Sequence, residues 1–454
     1  MKKLYMLLSV AVVFASLVAA CGGTATTAAP APTDAAAVTQ APAATEVPAA
    51  TEVPAATEPP KEAVTVRALI RPDEGENVAI YSKKFTEETG INVDVTFVGW
   101  SEIHDKSVTT LAGGGGGYDI VFIPVADAAA FQAGGWFDPV DDLIPANERD
   151  QWLQSVVDLY TGPDGHLFAM PWYSGGAHMA YNTEIIANAG VDVSAIKTWD
   201  DLAAACEVVY EKKAAEFCFS PSAKYPGNMY FNWGTMVLGF GGEFFDKDGN
   251  PIFQNTDAAV KAWQWLADGV KAGYVDPAGV ALDDYETLIQ FGSGQTAFLL
   301  NSTWSVTQAN KPDLSKIPGK VGYMLIPGSG IAPHAQFMYA GGLGLLKTSE
   351  HKDEAKQFLK YLTGEQPQKD HAIQGANAPT RVALFKDPDI PKTWTGFDVI
   401  AEQLNYGVFP PQVPWLEEFR RSAASATQDV IAGRKTPKEA LTWLLDEVKR
   451  IKGG

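Results

Sequence analysis

The chain has 454 residues, of which 46% are hydrophobic and 20% are charged, which is the balance of a folded protein. Its 54 acidic and 35 basic residues give a formal charge of -19, which argues against nucleic acid or an acidic lipid surface as a partner. Residues from about 63 onward are numerous enough for two domains with substantial cores.

The N-terminal residues have the pattern of an export signal. Lys2 and Lys3 precede an apolar run from Leu4 to Ala20 that ends in small side chains. The run is slightly short for a membrane span, and no other stretch approaches the roughly 18 to 20 apolar residues that a span needs. We therefore expect residues 1–20 to be a signal peptide and the remaining chain to be extracytoplasmic. Without the two lysines the formal charge becomes -21 (-19 minus 2).

Cys21 directly follows this run, and the sequence Val18-Ala19-Ala20-Cys21 resembles the bacterial lipobox. In that motif the signal is cut before the Cys, whose acyl chains then hold the protein at a cell membrane. The alternative is an ordinary secretory signal with an incidental Cys.

Residues 21–62 are almost entirely Ala, Thr, Pro, Gly and Glu and include the repeat AATEVP, AATEVP, AATEPP. With so few large apolar side chains, this stretch predicts a disordered tether.

The first part of the body predicts a strand, a helix and a second strand. Apolar residues alternate from Val64 to Ile70, the helical stretch NVAIYSKKFTEET ends at Gly90, and INVDVTFV alternates again. This order indicates a βαβ unit with a parallel or mixed sheet. The stretch GYDIVFIP predicts a third strand. The glycines at 113–117 precede this strand, whereas phosphate loops follow a strand, so we interpret them as a connection.

Three later stretches predict amphipathic helices. In TWDDLAAACEVVYEKK, Thr198 is the expected N-cap and Asp201 completes a capping box. In SEHKDEAKQFLKYLTGE, Leu359 and Leu362 should face inward. The third helix runs from Thr436 through Lys452. Strands that alternate with helices along the chain predict an α/β architecture.

Cys206 and Cys218 are separated by one helix-to-strand step. In an oxidising compartment they could form a disulfide, and two buried free thiols are the competing interpretation.

Several segments in order carry a resemblance to a known family: KKFTEETGINVDV, GYDIVFIP, MAYNTEII, TWDDL, FGSGQTAFLLNSTW, YAGGLGLLKTSEHKDEAKQFLKYLT and NAPTRVAL. Their order and spacing resemble the extracellular solute-binding proteins of ABC importers, in the family that includes maltose-binding protein. The resemblance implies a periplasmic-binding-protein-like fold, in which two α/β lobes joined by a hinge hold the ligand in the cleft between them. Lobe 1 would comprise 63–173 with 343–378, and lobe 2 would comprise 177–339 with 381–454. The chain would cross between lobes near 172–181, 340–345 and 378–381.

Aromatic residues in predicted loops favour a carbohydrate as the ligand, because a sugar ring packs its C–H face on an aromatic ring while its hydroxyls form hydrogen bonds. The resemblance places Trp304, and Tyr230 with Trp233 in YFNW, where the family has sugar-contacting aromatics. Trp415 resembles a C-terminal aromatic contact of the family. The full set of expected aromatic and amide contacts is Trp100, Trp172, Tyr173, Tyr230, Asn232, Trp233, Trp304 and Trp415.

Polar candidates follow predicted strands or chain crossings. Arg71, Asp73 and Asp127 come at the C-terminal ends of strands, where open α/β sheets bind ligands. Gly341 and Gly342 could let backbone amides approach a ligand or act as hinge points. By the resemblance, Arg381 could direct its guanidinium into the cleft, with a surface ion pair as the alternative. Maltose-binding protein has a Glu at the position of Gly175 and a Lys at that of Asp73, which argues against maltodextrin as the ligand.

The sequence therefore predicts a membrane-anchored monomer that captures a mono- or oligosaccharide for an ABC importer, with no enzymatic activity, cofactor or metal. The runner-up is the same fold with a cleft for a polyamine, iron, phosphate or a peptide. An extracellular glycosidase is a weaker alternative. The six His are scattered without metal-ligand spacing, and no G-x-S-x-G motif is present.

Overall fold

The computed structural model describes residues 64–71, 75–225, 229–375 and 377–453. The predicted signal, Cys21, the tether and Asp73 lie outside these residues. The described chain contains a mixed sheet. Its strands are β1 (Thr65–Ile70), β2 (Asn92–Phe97), β3 (Ile120–Pro124), β4 (Met170–Asn182), β5 (Phe217–Phe219), β6 (Thr296–Ser302), β7 (Val321–Met324), β8 (Gln336–Leu345), β9 (Ala378–Pro379) and β10 (Gly407–Val408).

Helices cover the sheet. They are α1 (Gly75–Thr89), α2 (Trp100–Ala112), α3 (Ala128–Gly134), α4 (Gln154–Leu159), α5 (Thr183–Ala189), α6 (Trp199–Glu211), α7 (Met229–Gly239), α8 (Ala258–Ala272), α9 (Asp284–Gly292), α10 (Thr303–Gln308), α11 (Lys352–Leu362), α12 (Glu365–Gly375), α13 (Ile390–Thr393), α14 (Phe397–Leu404), α15 (Leu416–Ile431) and α16 (Pro437–Gly453). The predicted α/β architecture is confirmed. Within the described residues, no helix combines the length and the apolar character needed to cross a membrane.

The predicted βαβ unit is confirmed, because β1 pairs in parallel with β2 and also with β3. The main strand order is β2-β1-β3-β8-β4-β6-β5, with β7 and β9 paired to β4 and β10 paired to β8. Strand β8 runs antiparallel to both β3 and β4. The sheet is therefore mixed, and β8 joins its first half to the rest.

Strand β4 changes partners along its length. Residues 170–176 pair with β8, whereas residues 177–182 pair with β6 and β7. All of its residues except Tyr181 are buried. The chain crossings predicted from the sequence fall on β4, β8 and β9. The same buried strand thus belongs to both halves of the sheet.

Helix α6 shows how local sequence sets an element boundary. The Thr198 side chain accepts a hydrogen bond from the Asp201 N–H at 3.1 Å, and the Asp201 carboxylate accepts one from the Thr198 N–H at 2.8 Å. The predicted capping box is therefore confirmed. A disulfide between Cys206, in the middle of α6, and Cys218 connects this helix to β5. Leu359 and Leu362 of α11 are fully buried, as their spacing predicts.

The cap of α6 should contribute measurably to folding stability. We expect Thr198→Ala to lower the free energy of unfolding by about 1 kcal/mol, because the N–H of Asp201 loses its acceptor. Thr198→Ser keeps the hydroxyl and should cost much less. Chemical denaturation of the three proteins measures this difference, and equal stability of the Ala and Ser variants would contradict it.

Candidate functional site

A contact between Arg71 and two aromatic residues lies at the C-terminal end of β1. The Nη1 of Arg71 donates a hydrogen bond to the Tyr173 hydroxyl at 2.6 Å. Its guanidinium carbon lies 4.4 Å from the centre of the Trp100 ring. Trp100 itself, at the start of α2, is 37% exposed. The structure thus brings together Arg71, Trp100 and Tyr173, which are far apart in the sequence. Of the two aromatic rings, only that of Trp100 is substantially exposed to solvent.

Tyr173 and Trp172 lie beneath this contact and are buried. Tyr173 stacks on Phe122 of β3, with ring centres 6.0 Å apart. Trp172 stacks on His371 of α12 at 5.1 Å. Tyr173 is 1% exposed and Trp172 is 0% exposed, so neither side chain presents an open surface. Tyr173 positions Arg71 through its hydroxyl, and both rings pack on the sheet.

The glycines of β8 lie against aromatic rings. A Cβ atom at Gly341 would lie 2.5 Å from a carbon of the Tyr173 ring, and one at Gly342 would lie 2.7 Å from the Tyr160 ring. The space beside both Cα atoms is therefore filled by aromatic rings, and the glycines permit ring packing on the strand. Gly175 is similar, because a Cβ there would lie 2.4 Å from the Tyr339 ring.

Asp127 follows β3 and is paired with His104 of α2. The Asp127 carboxylate lies 2.7 Å from the His104 Nδ1 and is only 2% exposed as a residue. This hydrogen bond raises the pKa of His104 above its ordinary value, although burial works against it. Burial raises the pKa of Asp127 despite the neighbouring His104. The buried Asp127 carboxylate thus holds the imidazole of His104 in place, and that imidazole remains partly exposed.

A second polar cluster lies on α15. The Arg420 Nη1 donates to the Glu417 carboxylate at 2.7 Å, and the Tyr225 hydroxyl donates to its other oxygen. Burial works to raise the pKa of Glu417, but Arg420, Tyr225 and His104 together bring it below its ordinary value. The negative charge of Glu417 also contributes to raising the pKa of both His104 and Asp127. The two clusters are therefore close enough to interact electrostatically.

Helix α7 contains the expected YFNW stretch, although the side chain of Tyr230 lies outside the described residues. Trp233 has no exposed surface and stacks on Trp263 of α8 at 4.6 Å, so it packs in the core instead of lining open space. Asn232 is 1% exposed, and neither atom of its amide has a hydrogen-bond partner within the described chain. A buried amide of this kind is costly unless water or a solute satisfies it.

Trp304 is half-buried in the first turn of α10 and packs against a second hydrophobic cluster. The preceding Thr303 connects this turn to β4, because its hydroxyl accepts a hydrogen bond from the Gly176 N–H at 3.0 Å. The hydroxyl also lies 3.0 Å from the Nε2 of His178. Burial lowers the pKa of His178 to about 3, so this imidazole is neutral at ordinary pH.

Two further candidates are engaged elsewhere. The guanidinium carbon of Arg381 lies 3.7 Å from the centre of the Trp152 ring, and its Nε donates to the Thr363 carbonyl. Arg381 therefore packs on Trp152, and it forms no ion pair with any residue that the structure describes. Trp415 is half-buried and packs edge-to-face on Phe245 at 5.0 Å.

Further polar residues that the sequence patterns did not indicate lie among these candidates. His104 and Glu417 are the main ones, together with Tyr339, whose hydroxyl donates to the Asn377 side chain at 3.1 Å. His104 lies four residues after Trp100, so the helical spacing that puts both on one face of α2 could have indicated it. Glu417 and Arg420 lie three residues apart on α15, which is a similar signal. Among the described residues, no group of three or more His, Cys, Asp or Glu is arranged to hold a metal ion.

A model of the bacterial extracellular solute-binding protein family matches residues 60–369. The chain is 24% identical to a probable amino-acid ABC transporter periplasmic-binding protein of Sinorhizobium fredii, over 82% of this chain and 86% of that protein. It is 25% identical to the arabinooligosaccharide-binding protein of Bacillus subtilis, over 83% of this chain and 88% of the relative.

Among solved structures, the fold is similar to that of maltose-bound T. maritima MalE3. The TM-score is 0.78, the identity is 22%, and the match covers 86% of this chain and all of the other (100%). At this identity the similarity establishes the fold and leaves the ligand open.

The pair of His104 and Asp127 predicts a pH-dependent contribution to stability. Because the folded-state pKa of His104 is raised, its contribution is fully present below about pH 6.5, the ordinary value, and is lost as the pH rises through the folded-state pKa. We expect His104→Gln to cost about 1 kcal/mol at pH 6 and clearly less at pH 9. Urea denaturation of both proteins at the two pH values measures this, and an equal cost at both would contradict it.

Proposed function

This chain belongs to the bacterial extracellular solute-binding protein family, and we propose that it captures a carbohydrate in a cleft between two lobes and delivers it to an ABC importer. The lobes are those expected from the sequence, 63–173 with 343–378 and 177–339 with 381–454. The substrate class is a mono- or oligosaccharide. Binding without chemical turnover is part of the proposal.

The observation that carries the proposal is the exposed ring of Trp100. Arg71 lies over this ring and is positioned by the Tyr173 hydroxyl, so the orientation of the ring is fixed before any ligand arrives. A fixed, partly exposed indole offers a flat apolar surface to the C–H face of a sugar. Preorganisation of this kind reduces the entropy lost on binding.

Hydrogen-bonding groups for the sugar hydroxyls would come from both lobes. Asp127 and His104 belong to the proposed lobe 1, and Glu417 and Arg420 belong to the proposed lobe 2. Each carboxylate already has a partner, so these groups are held in place and need no large rearrangement to accept or donate to a hydroxyl. Their mutual electrostatic interaction supports a close approach of the two lobes.

Closure of two lobes explains how such a protein can bind a hydrated ligand. It also explains how the importer can recognise that the ligand is bound. Two walls remove water from both faces of a sugar ring, which a single open surface does not. A ligand favours the closed form only by its greater affinity for that form. The importer can then distinguish loaded from empty protein by shape. The arabinooligosaccharide-binding relative supports a carbohydrate ligand, and the relative described as a probable amino-acid binder makes amino acids the first alternative.

A thermal-shift screen against mono-, di- and oligosaccharides, polyols, amino acids and polyamines tests the substrate class. A ligand at about 100 times its dissociation constant should stabilise the protein by about 2.7 kcal/mol.

Trp100→Ala should weaken binding of the carbohydrate that stabilises the protein most by about tenfold or more, because the stacking surface is lost. Tyr285→Ala, which removes an exposed ring on α9, is the matched control. Stabilisation by amino acids or polyamines and by no carbohydrate would overturn the proposal.

The membrane anchor is a separate part of the proposal and rests on the lipobox-like sequence Val18-Ala19-Ala20-Cys21 after the apolar run. Cells that express the protein and receive an alkyne-labelled fatty acid should label it and retain it in the membrane fraction. Cys21→Ser should abolish the label and release the protein, whereas the neighbouring Thr24→Ser should change neither. An unlabelled wild-type protein, or a Cys21→Ser variant that stays in the membrane fraction, would contradict the anchor.

A further inference from the structure

A groove with a volume of about 600 Å³ lies between helices α6 and α8, next to the segment 328–331. It shares no residue with the proposed carbohydrate site. Trp199 and Trp265 form its floor, with exposures of 0% and 6%. The Trp265 indole N–H donates to the Trp199 carbonyl at 2.8 Å, so the floor is fixed.

Unpaired acidic side chains surround the floor. Asp200 and Glu207 of α6 and Asp268 of α8 line the groove, against a single Lys261. Within the described chain, none of these four side chains forms an ion pair with another residue, although Asp268 accepts a hydrogen bond from Gln264 at 2.8 Å. The groove therefore has an excess of two negative charges. Carboxylates that have no ion-pair partner within the described chain favour a cationic partner.

Ile331 lies at the edge of the groove and is 84% exposed, the highest value among the large hydrophobic residues of the described chain. Its side chain lies beside Gly241, where an added Cβ would come within 3.3 Å of the Ile331 Cγ2. A single exposed aliphatic side chain is ordinary on a protein surface, but its position at the edge of the groove adds apolar surface to the charged lining.

We propose that this groove docks a basic segment of a partner protein that also carries an apolar side chain. The apolar side chain would cover Ile331, and Lys or Arg side chains would pair with the carboxylates. Other occupants have the wrong charge. Residues 22–62 of this chain contain one Lys against four Glu and one Asp, and a second copy of the chain or an acidic membrane is likewise negatively charged.

The test uses a fluorescein-labelled, C-terminally amidated peptide, Lys-Leu-Arg-Phe-Lys-Leu, and a matched peptide with Glu in place of Lys and Arg. Fluorescence anisotropy should show saturable 1:1 binding of the basic peptide and none of the acidic one. Glu207→Gln combined with Asp268→Asn should weaken binding by about five- to tenfold, and Ile331→Ser should weaken it as well. Melting temperatures verify that the variants are folded.

The matched control neutralises two carboxylates elsewhere, Asp353→Asn with Glu354→Gln on α11, and should leave the affinity nearly unchanged. Equal losses from the control pair and the groove pair would show non-specific attraction to an acidic surface and overturn the proposal. Unchanged affinity in the groove variants, or no saturable binding, would overturn it as well. None of these readouts depends on a carbohydrate, so failure here is distinct from failure of the proposed function.

Discussion

The antiparallel pairing of β4 with β8 is the constraint on which the rest of the body depends. Strand β8 also pairs with β3, and β4 continues into pairing with β6 and β7, so both halves of the sheet share these two strands. Because β4 is almost completely buried, its side chains have few alternative positions. Tyr173 is fixed by this pairing, it positions Arg71, and Arg71 in turn lies over Trp100. The orientation of an exposed ring is thus determined by strand pairing beneath it.

Glycines make this arrangement possible because they leave room for aromatic rings on the strands. Gly341 and Gly342 on β8 and Gly175 on β4 each face a ring that an added Cβ would overlap. A larger residue at 175 would have to displace Tyr339, whose hydroxyl is bonded to Asn377. The difference from maltose-binding protein at this position therefore involves a ring as well as a lost carboxylate.

Local patterns predicted the elements well because their causes are local. Alternation predicted β1 and β2, and the hydrogen bonds between Thr198 and Asp201 involve residues three apart. The site was harder to predict because its geometry depends on distant packing. Nothing near Trp233 in sequence indicates that it stacks on Trp263, thirty residues later, and nothing near Arg381 indicates Trp152. Whether an aromatic residue is accessible or buried is decided by such tertiary contacts, and this separates Trp100 from the other candidates.

The buried imidazole of His178 affects how the fold responds to its surroundings. It sits where β4 exchanges one set of partners for another, and burial keeps it uncharged by lowering its pKa to about 3. An unfolded chain would take up a proton at this residue below about pH 6.5, whereas the folded chain would not. Acid therefore favours unfolding through this one group, by up to about 1.4 kcal/mol for each pH unit between those limits. Outside a cell, where no cytoplasm buffers the medium, this buried imidazole makes the whole fold less stable as the medium becomes more acidic.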